Sequence, residues 1–207
     1  PLKRGLYRHS TQTHPAMRVR SLLCYGSNMS GAKRRSRGGG FSLHACGPCV
    51  PATLPGYELL FSLRGVPHLE PAFATVAPVH ERVDSPEPPH PPHPPSMSPV
   101  HGVLVPFDEE NWDKMLESEG GDTFYQAVCV QAFPYGEKEP VEAWVLVAKP
   151  ELCRPGLLPS LRYMKMVVEG AEENHLDPAY VEQLRQQPCV GSSKVGTAMV
   201  VTLFAVC

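Results

Sequence analysis

No acidic residue precedes Glu58 in this 207-residue chain. Nine cations do: Lys3, Arg4, Arg8, Arg18, Arg20, Lys33, Arg34, Arg35 and Arg37. Residues 58–207 therefore carry the other ten cations against all 21 acidic residues, a balance of −11 hidden inside a net charge of −2. A front end of one sign attracts phosphates, anionic membranes or carboxylates. Its Arg-rich, acid-free composition before residue 21 fits a processed or disordered leader, and an organelle transit segment is one form of that. No apolar run precedes Leu22, which argues against secretion and favours a cytoplasmic protein. Long apolar runs are missing elsewhere too. The stretch "GTAMVVTLFAVC" at residues 196–207 is shorter than the roughly 20 residues a membrane helix needs and reads as a final strand, so no membrane association is expected.

Cysteine is irregular, seven in all, and an odd scattered set excludes a plain disulfide framework. Cys46-Gly47-Pro48-Cys49, in "HACGPCV", has the sequence of a thioredoxin-type redox pair. That chemistry wants a strand before the first cysteine and a helix after the second. Here "RGGGFSLHA" precedes the pair, and Pro51 and Pro55 oppose a following helix. A second C-x-x-C that could complete a zinc site is absent. The pair is expected to lie in a loop, and neither metal nor cofactor is expected.

Proline, by contrast, is abundant, 24 residues, and it clusters in "SPEPPHPPHPPSMSP" at residues 85–99. Such density removes amide donors and favours polyproline II, so this segment is a surface insertion between strands. Residues 31–50 are expected to be irregular. Strands are predicted at "SLLCY", ending at Gly26, and at "GYELLFSLR", "PAFATVAP", "VHGVLVPF", "FYQAVCVQAF" and "VEAWVLVA". Asp108 is placed to cap a helix, "EENWDKMLESE", with Trp112, Met115 and Leu116 on one face. Ser160 is placed to cap "LRYMKMVVEGAEE", where Leu161, Met164, Val167, Val168 and Ala171 form a 3.6-period stripe. Asp177-Pro178 opens a last helix, "AYVEQLRQQ". Neighbouring strands with few helices between them predict an α+β fold, a mixed barrel-like sheet with flanking helices. The expected organisation is a leader at 1–20, a domain at 21–187 and an apolar tail or strand at 188–207.

Two stretches carry the chemistry. "LLCYGSNMS" ends an apolar strand in Tyr25-Gly26-Ser27-Asn28, where glycine permits close approach of main chain and Ser27 and Asn28 offer hydrogen-bonding groups. Amides turned into one concavity there could hold a carboxylate or an oxyanion. "MLESEGGDTFYQAVCV" ends a helix at Glu119, closes it with Gly120-Gly121 and starts a strand. A carboxyl group sheltered at the negative end of a helix holds its proton more tightly than one in water, the condition for a general base near neutral pH.

Taken in order, "YGSNMS", "PATLPGYELLFSLRG", "FATVAP", "VHGVLVPFDEENWDKMLESEGG", "YQAVCVQAF" and "PSLRYMKMVVEGAEENHLDPAYVEQL" resemble the gamma-glutamylcyclotransferase family over residues 21–187. The resemblance implies a barrel-like α+β fold, with Tyr25, Gly26, Ser27 and Asn28 as the substrate-binding loop and Glu119 as the acid/base residue. It implies that Tyr125 and Tyr163 line the pocket, that the enzyme is cofactor-independent within glutathione metabolism, and that it forms a homodimer. Three departures stand out: Leu116 occupies a position where the family usually has Asp, the Glu119-to-Tyr125 spacing is one residue short, and residues 31–50 have lost similarity.

The implied reaction is intramolecular attack of the α-amine of a γ-glutamyl compound on its γ-carbonyl, releasing 5-oxoproline and an amino acid or amine. Free γ-glutamyl amino acids are the first expected substrates, followed by γ-glutamylamines. Glutathione ranks below both, because glutathione-cleaving relatives have Leu where Asn28 stands. The alternatives are a non-catalytic ligand-binding or regulatory member of the same fold, and nucleic-acid binding through "KRRSRGGG", which is not expected as the main role.

Overall fold

The computed structural model describes residues 18–36, 42–79 and 99–191. The expected leader up to residue 17, most of the proline-rich insertion, residues 37–40 of the basic segment and the apolar stretch 196–207 fall outside them. In chain order the described elements are β1 (Arg20–Cys24), α1 (Gly31–Arg35), β2 (Val50–Leu54), β3 (Tyr57–Val66), β4 (Glu70–Pro78), β5 (Val100–Phe107), α2 (Glu109–Ser118), β6 (Tyr125–Pro134), β7 (Val141–Ala148), α3 (Leu161–Glu173) and α4 (Pro178–Arg185).

Five strands close into a barrel in the order β1-β5-β2-β6-β7, and β3 and β4 form a separate antiparallel pair. This is the expected mixed barrel with flanking helices. β5 lies between β1 and β2, and a strand enclosed on both faces reads as a near-continuous apolar run, which is what "VHGVLVPF" is. Leu22, Val103, Val105 and Phe107 on one face of the barrel wall and Leu23, Ala143 and Val145 on the other are all buried. The barrel closes through a parallel contact, Leu22 opposite Trp144. Because β7 runs parallel to β1 and antiparallel to β6, with Tyr125 opposite Ala148, the end of β1 and the start of β6 share one rim.

The three expected caps are made. Asp108 Oδ1 accepts from the Asn111 amide at 2.8 Å, Ser160 Oγ from the Tyr163 amide at 3.0 Å, and Asp177 Oδ1 from Ala179 and Tyr180 at 2.8 and 3.1 Å. Each satisfies amides that a helix start leaves without partners.

Four sequence expectations need correction. Residues 31–50 are not irregular throughout: Gly31–Arg35 is helical, with Ser30 Oγ accepting from the Lys33 amide, and Val50 begins a strand. Five residues are too few to show a period. β2 was concealed by Pro51, which the fold accommodates because the Pro51 carbonyl takes the Tyr135 amide where the ladder to β6 ends, so the missing donor costs one terminal bond. β1 stops at Cys24 rather than at Tyr25. Leu161 is 64% exposed, because the buried stripe of α3 runs through Tyr163, Met164, Val167, Gly170 and Ala171 and the first helical residue lies off it.

Candidate active site

The loop after β1 forms a short 3-10 turn, Ser27–Met29, closed by the Met29 amide on the Gly26 carbonyl at 3.0 Å. Across the rim, α2 ends with Glu119 as its C-cap, the Glu119 amide bonding the Met115 and Leu116 carbonyls. Gly120 then takes a left-handed conformation (φ +87°), which turns the chain out of the helix toward β6. These two loops meet directly. Asn28 Nδ2 donates to Glu119 Oε1 at 2.7 Å, joining residues 91 positions apart, and the Glu119 side chain is half-buried.

Three tyrosines surround this contact. The buried Tyr25 donates its hydroxyl to the Leu146 carbonyl and lies beside the Thr75 side chain. Tyr125 donates to the Ala74 carbonyl at 3.2 Å, and the Ala74 amide donates to the Tyr163 hydroxyl oxygen, also at 3.2 Å. A single residue of β4 thus ties two phenols. The Ser27 backbone lies beside the same Tyr163 hydroxyl. That oxygen sits 3.0 Å from where a Cβ on Gly26 would be, so the glycine admits the tyrosine to the loop. Phe73 packs edge-on against the Tyr163 ring at 5.4 Å.

Burial pushes the pKa of all three phenols up, and the nearby Glu119 charge pushes each further in the same direction. For Tyr25 and Tyr125 the neighbouring phenols add to it. They therefore stay neutral near pH 7 and act as hydrogen-bonding groups. The half-buried carboxyl group of Glu119 lies among them.

The loop is held from behind by residues that sequence reading overlooked. Arg34, only 5% exposed, donates from Nη1 to the Asn28 and Met29 carbonyls at 2.6 and 2.8 Å. Within "AKRRS" it stands as one cation of a basic segment expected to be irregular, and only the fold separates it from its neighbours. Asn174 Nδ2 bridges the Met29 and Gly170 carbonyls at 3.0 and 2.8 Å. Ala74 and Thr75 act largely through the backbone of β4 or a single hydroxyl, so no side-chain pattern announced them. A rotamer locked by such a supporting shell is what an acid–base site requires.

All seven residues singled out in the sequence lie at this rim. Tyr25, Tyr125 and Tyr163 direct their hydroxyls to backbone groups. Tyr163→Phe would strip a buried amide, Ala74, of its acceptor. It should cost about 1–3 kcal/mol in denaturant unfolding and loosen the Ser27 turn, whereas an unchanged midpoint would mean that the hydroxyl holds nothing.

The AIG2-like family profile matches residues 99–184, which include Glu119, Tyr125 and Tyr163. Gamma-glutamyl cyclotransferase aclK of Aspergillus oryzae is 30% identical over 181 residues, 81% of this chain and 61% of that protein. Gamma-glutamyl cyclotransferase gliK of Claviceps purpurea is 27% identical over 138 residues, 66% of this chain and 58% of that one. The chain thus spans less than two thirds of the length of these curated relatives. In fold it superposes on the human uncharacterized protein loc79017 with a TM-score of 0.64, at 18% identity, covering 90% of this chain and 98% of the other. A solved gamma-glutamyl cyclotransferase superposes with a TM-score of 0.61, at 19% identity, covering 89% and 99%. The closed five-stranded barrel is thus the fold of a solved gamma-glutamyl cyclotransferase, and in sequence the chain is similar to proteins of the gamma-glutamylcyclotransferase family.

Proposed function

We propose that this chain catalyses cyclisation of a γ-glutamyl compound, with Glu119 as general base and then general acid. The observation that carries the reading is the 2.7 Å bond between Asn28 and Glu119, which sets a carboxyl group opposite the glycine turn at the end of β1. Glu119 accepts a proton from the substrate α-ammonium, and the freed amine attacks the γ-carbonyl of the same molecule. The C–N bond of the leaving amine breaks as Glu119 returns the proton to it, giving 5-oxoproline and a free amino acid or amine. Five-membered ring closure needs little beyond holding the chain folded, so proximity carries much of the rate.

Substrate groups engage the turn at residues 26–28, where the Asn28 side chain meets the carboxyl group, while Tyr25, Tyr125 and Tyr163 keep the walls neutral. Free γ-glutamyl amino acids are the preferred class, with γ-glutamylamines second and glutathione third.

The test is 5-oxoproline release from γ-glutamyl-alanine, a γ-glutamyl-lysine side-chain amide and glutathione, alongside calorimetric binding of each. Release from the first at the highest kcat/KM is expected. Binding of a γ-glutamyl compound with no 5-oxoproline from any of them would replace this reading with a non-catalytic member of the fold.

A further inference from the structure

The Cys46-Gly47-Pro48-Cys49 pair has no part in that reaction. Its setting excludes thioredoxin-type activation, since residues 42–49 have no regular structure and the following element is the strand β2, not a helix. Cys46 is exposed, its amide bonded to the Pro106 carbonyl at 2.9 Å, while Cys49 is half-buried. Cys49 has an unusual neighbour. Arg34 Nη2 donates to Cys49 Sγ at 3.5 Å, and Nη1 of the same guanidinium holds the carbonyls of Asn28 and Met29. Asn28 in turn holds Glu119. A chain of contacts therefore runs from a cysteine pair, through one buried cation, to the loop facing the carboxyl group.

We propose that Cys46 and Cys49 close into a reversible disulfide, and that Arg34 passes the oxidation state of Cys49 to the loop carrying Asn28. The two cysteines are three positions apart, separated by Gly47 and Pro48 with a bend at 46–47, so closing the ring costs little chain entropy. The oxidant is a low-molecular-weight disulfide. The Cys46 thiolate, accessible from solvent, attacks one of its sulfurs, forming a mixed disulfide and releasing the first small thiol. The Cys49 thiolate then attacks the Cys46 sulfur, forming the Cys46–Cys49 bond and releasing the second. The protein loses two electrons and two thiol protons, and the oxidant gains both as two thiols.

Bonded sulfurs stand about 2.05 Å apart, so oxidation draws Cys49 Sγ toward Cys46 and away from Arg34. The guanidinium, still charged and buried, loses an acceptor and shifts, and its grip on the Asn28 and Met29 carbonyls weakens.

The test uses the full chain with bis(2-hydroxyethyl) disulfide, which carries no γ-glutamyl group and cannot be confused with substrate. Peptide mapping after thiol alkylation should find a Cys46–Cys49 disulfide that dithiothreitol reverses. Hydrogen exchange at amides 27–35 should quicken by about tenfold on oxidation, the scale of losing one hydrogen bond from a charged donor. Cys46→Ser, which keeps the Cys49–Arg34 contact, should exchange like the reduced parent and not respond to the oxidant. None of these readouts needs catalytic activity, so they stand apart from the cyclisation reading. Cysteines 46 and 49 recovered as free thiols, a disulfide with unchanged exchange at 27–35, or a Cys46→Ser variant that responds as the parent does would each overturn the proposal.

Discussion

Glu119→Gln should leave the barrel folded and lower 5-oxoproline release by about 10²–10⁴-fold, the usual worth of a general base. The substitution is nearly isosteric. A glutamine Oε1 can still accept from Asn28 Nδ2, so the bond between the two loops survives while the proton acceptor is lost. Stability should not fall, because removing a negative charge at the C-terminal end of α2 relieves an unfavourable interaction with the helix dipole worth about 0.3–1 kcal/mol. The variant should therefore melt at or above the parent temperature and bind a γ-glutamyl compound with similar affinity. A parental rate in the folded variant would remove Glu119 from the chemistry.

Gly170→Ala tests the opposite side of the loop. An alanine Cβ at this position of α3 would lie 2.9 Å from the Ser30 amide nitrogen and 3.0 Å from Met29 Cβ. Two effects compete. Alanine favours the helix over glycine by about 1 kcal/mol, but the obstacle is partly backbone, which cannot swing aside as a flexible side chain can, and overpacking costs about 1–3 kcal/mol. The second should win, with a modest net destabilisation. Activity should suffer far more, because displacing the 26–30 loop by even about 1 Å misaligns Asn28 against Glu119, and such a misplacement can cost roughly 10²-fold. The check is kcat/KM beside the melting temperature. A stabilised variant with parental kcat/KM would show that the loop tolerates the push.

How far the site could be read beforehand depended on what each residue does with its side chain. Glu119 stood out because it ends a helix just before two glycines, and residues 25–28 because small polar groups follow an apolar strand abruptly. Tyr125 and Tyr163 came with the resemblance. Arg34 was hidden in a basic run, since nothing in the run's composition says which cation turns inward to meet two carbonyls. Gly170 was hidden inside an amphipathic helix, where only the approach of Met29 and Ser30 explains the absent side chain. β2 was hidden by its proline, harmless only because it sits at the end of a ladder.

Local chemistry thus determined the helices with their caps, the alternation of most strands and the identity of the carboxyl group, because each depends on neighbours a few residues away. Tertiary structure alone decided that β7 would close the barrel in parallel with β1, bringing Asn28 to Glu119 across 91 positions, and that β4 would lend the Ala74 backbone to two phenols. Those contacts depend on which strands lie side by side, and the buried surface that selects strand partners is shared across the whole chain rather than encoded in any one segment.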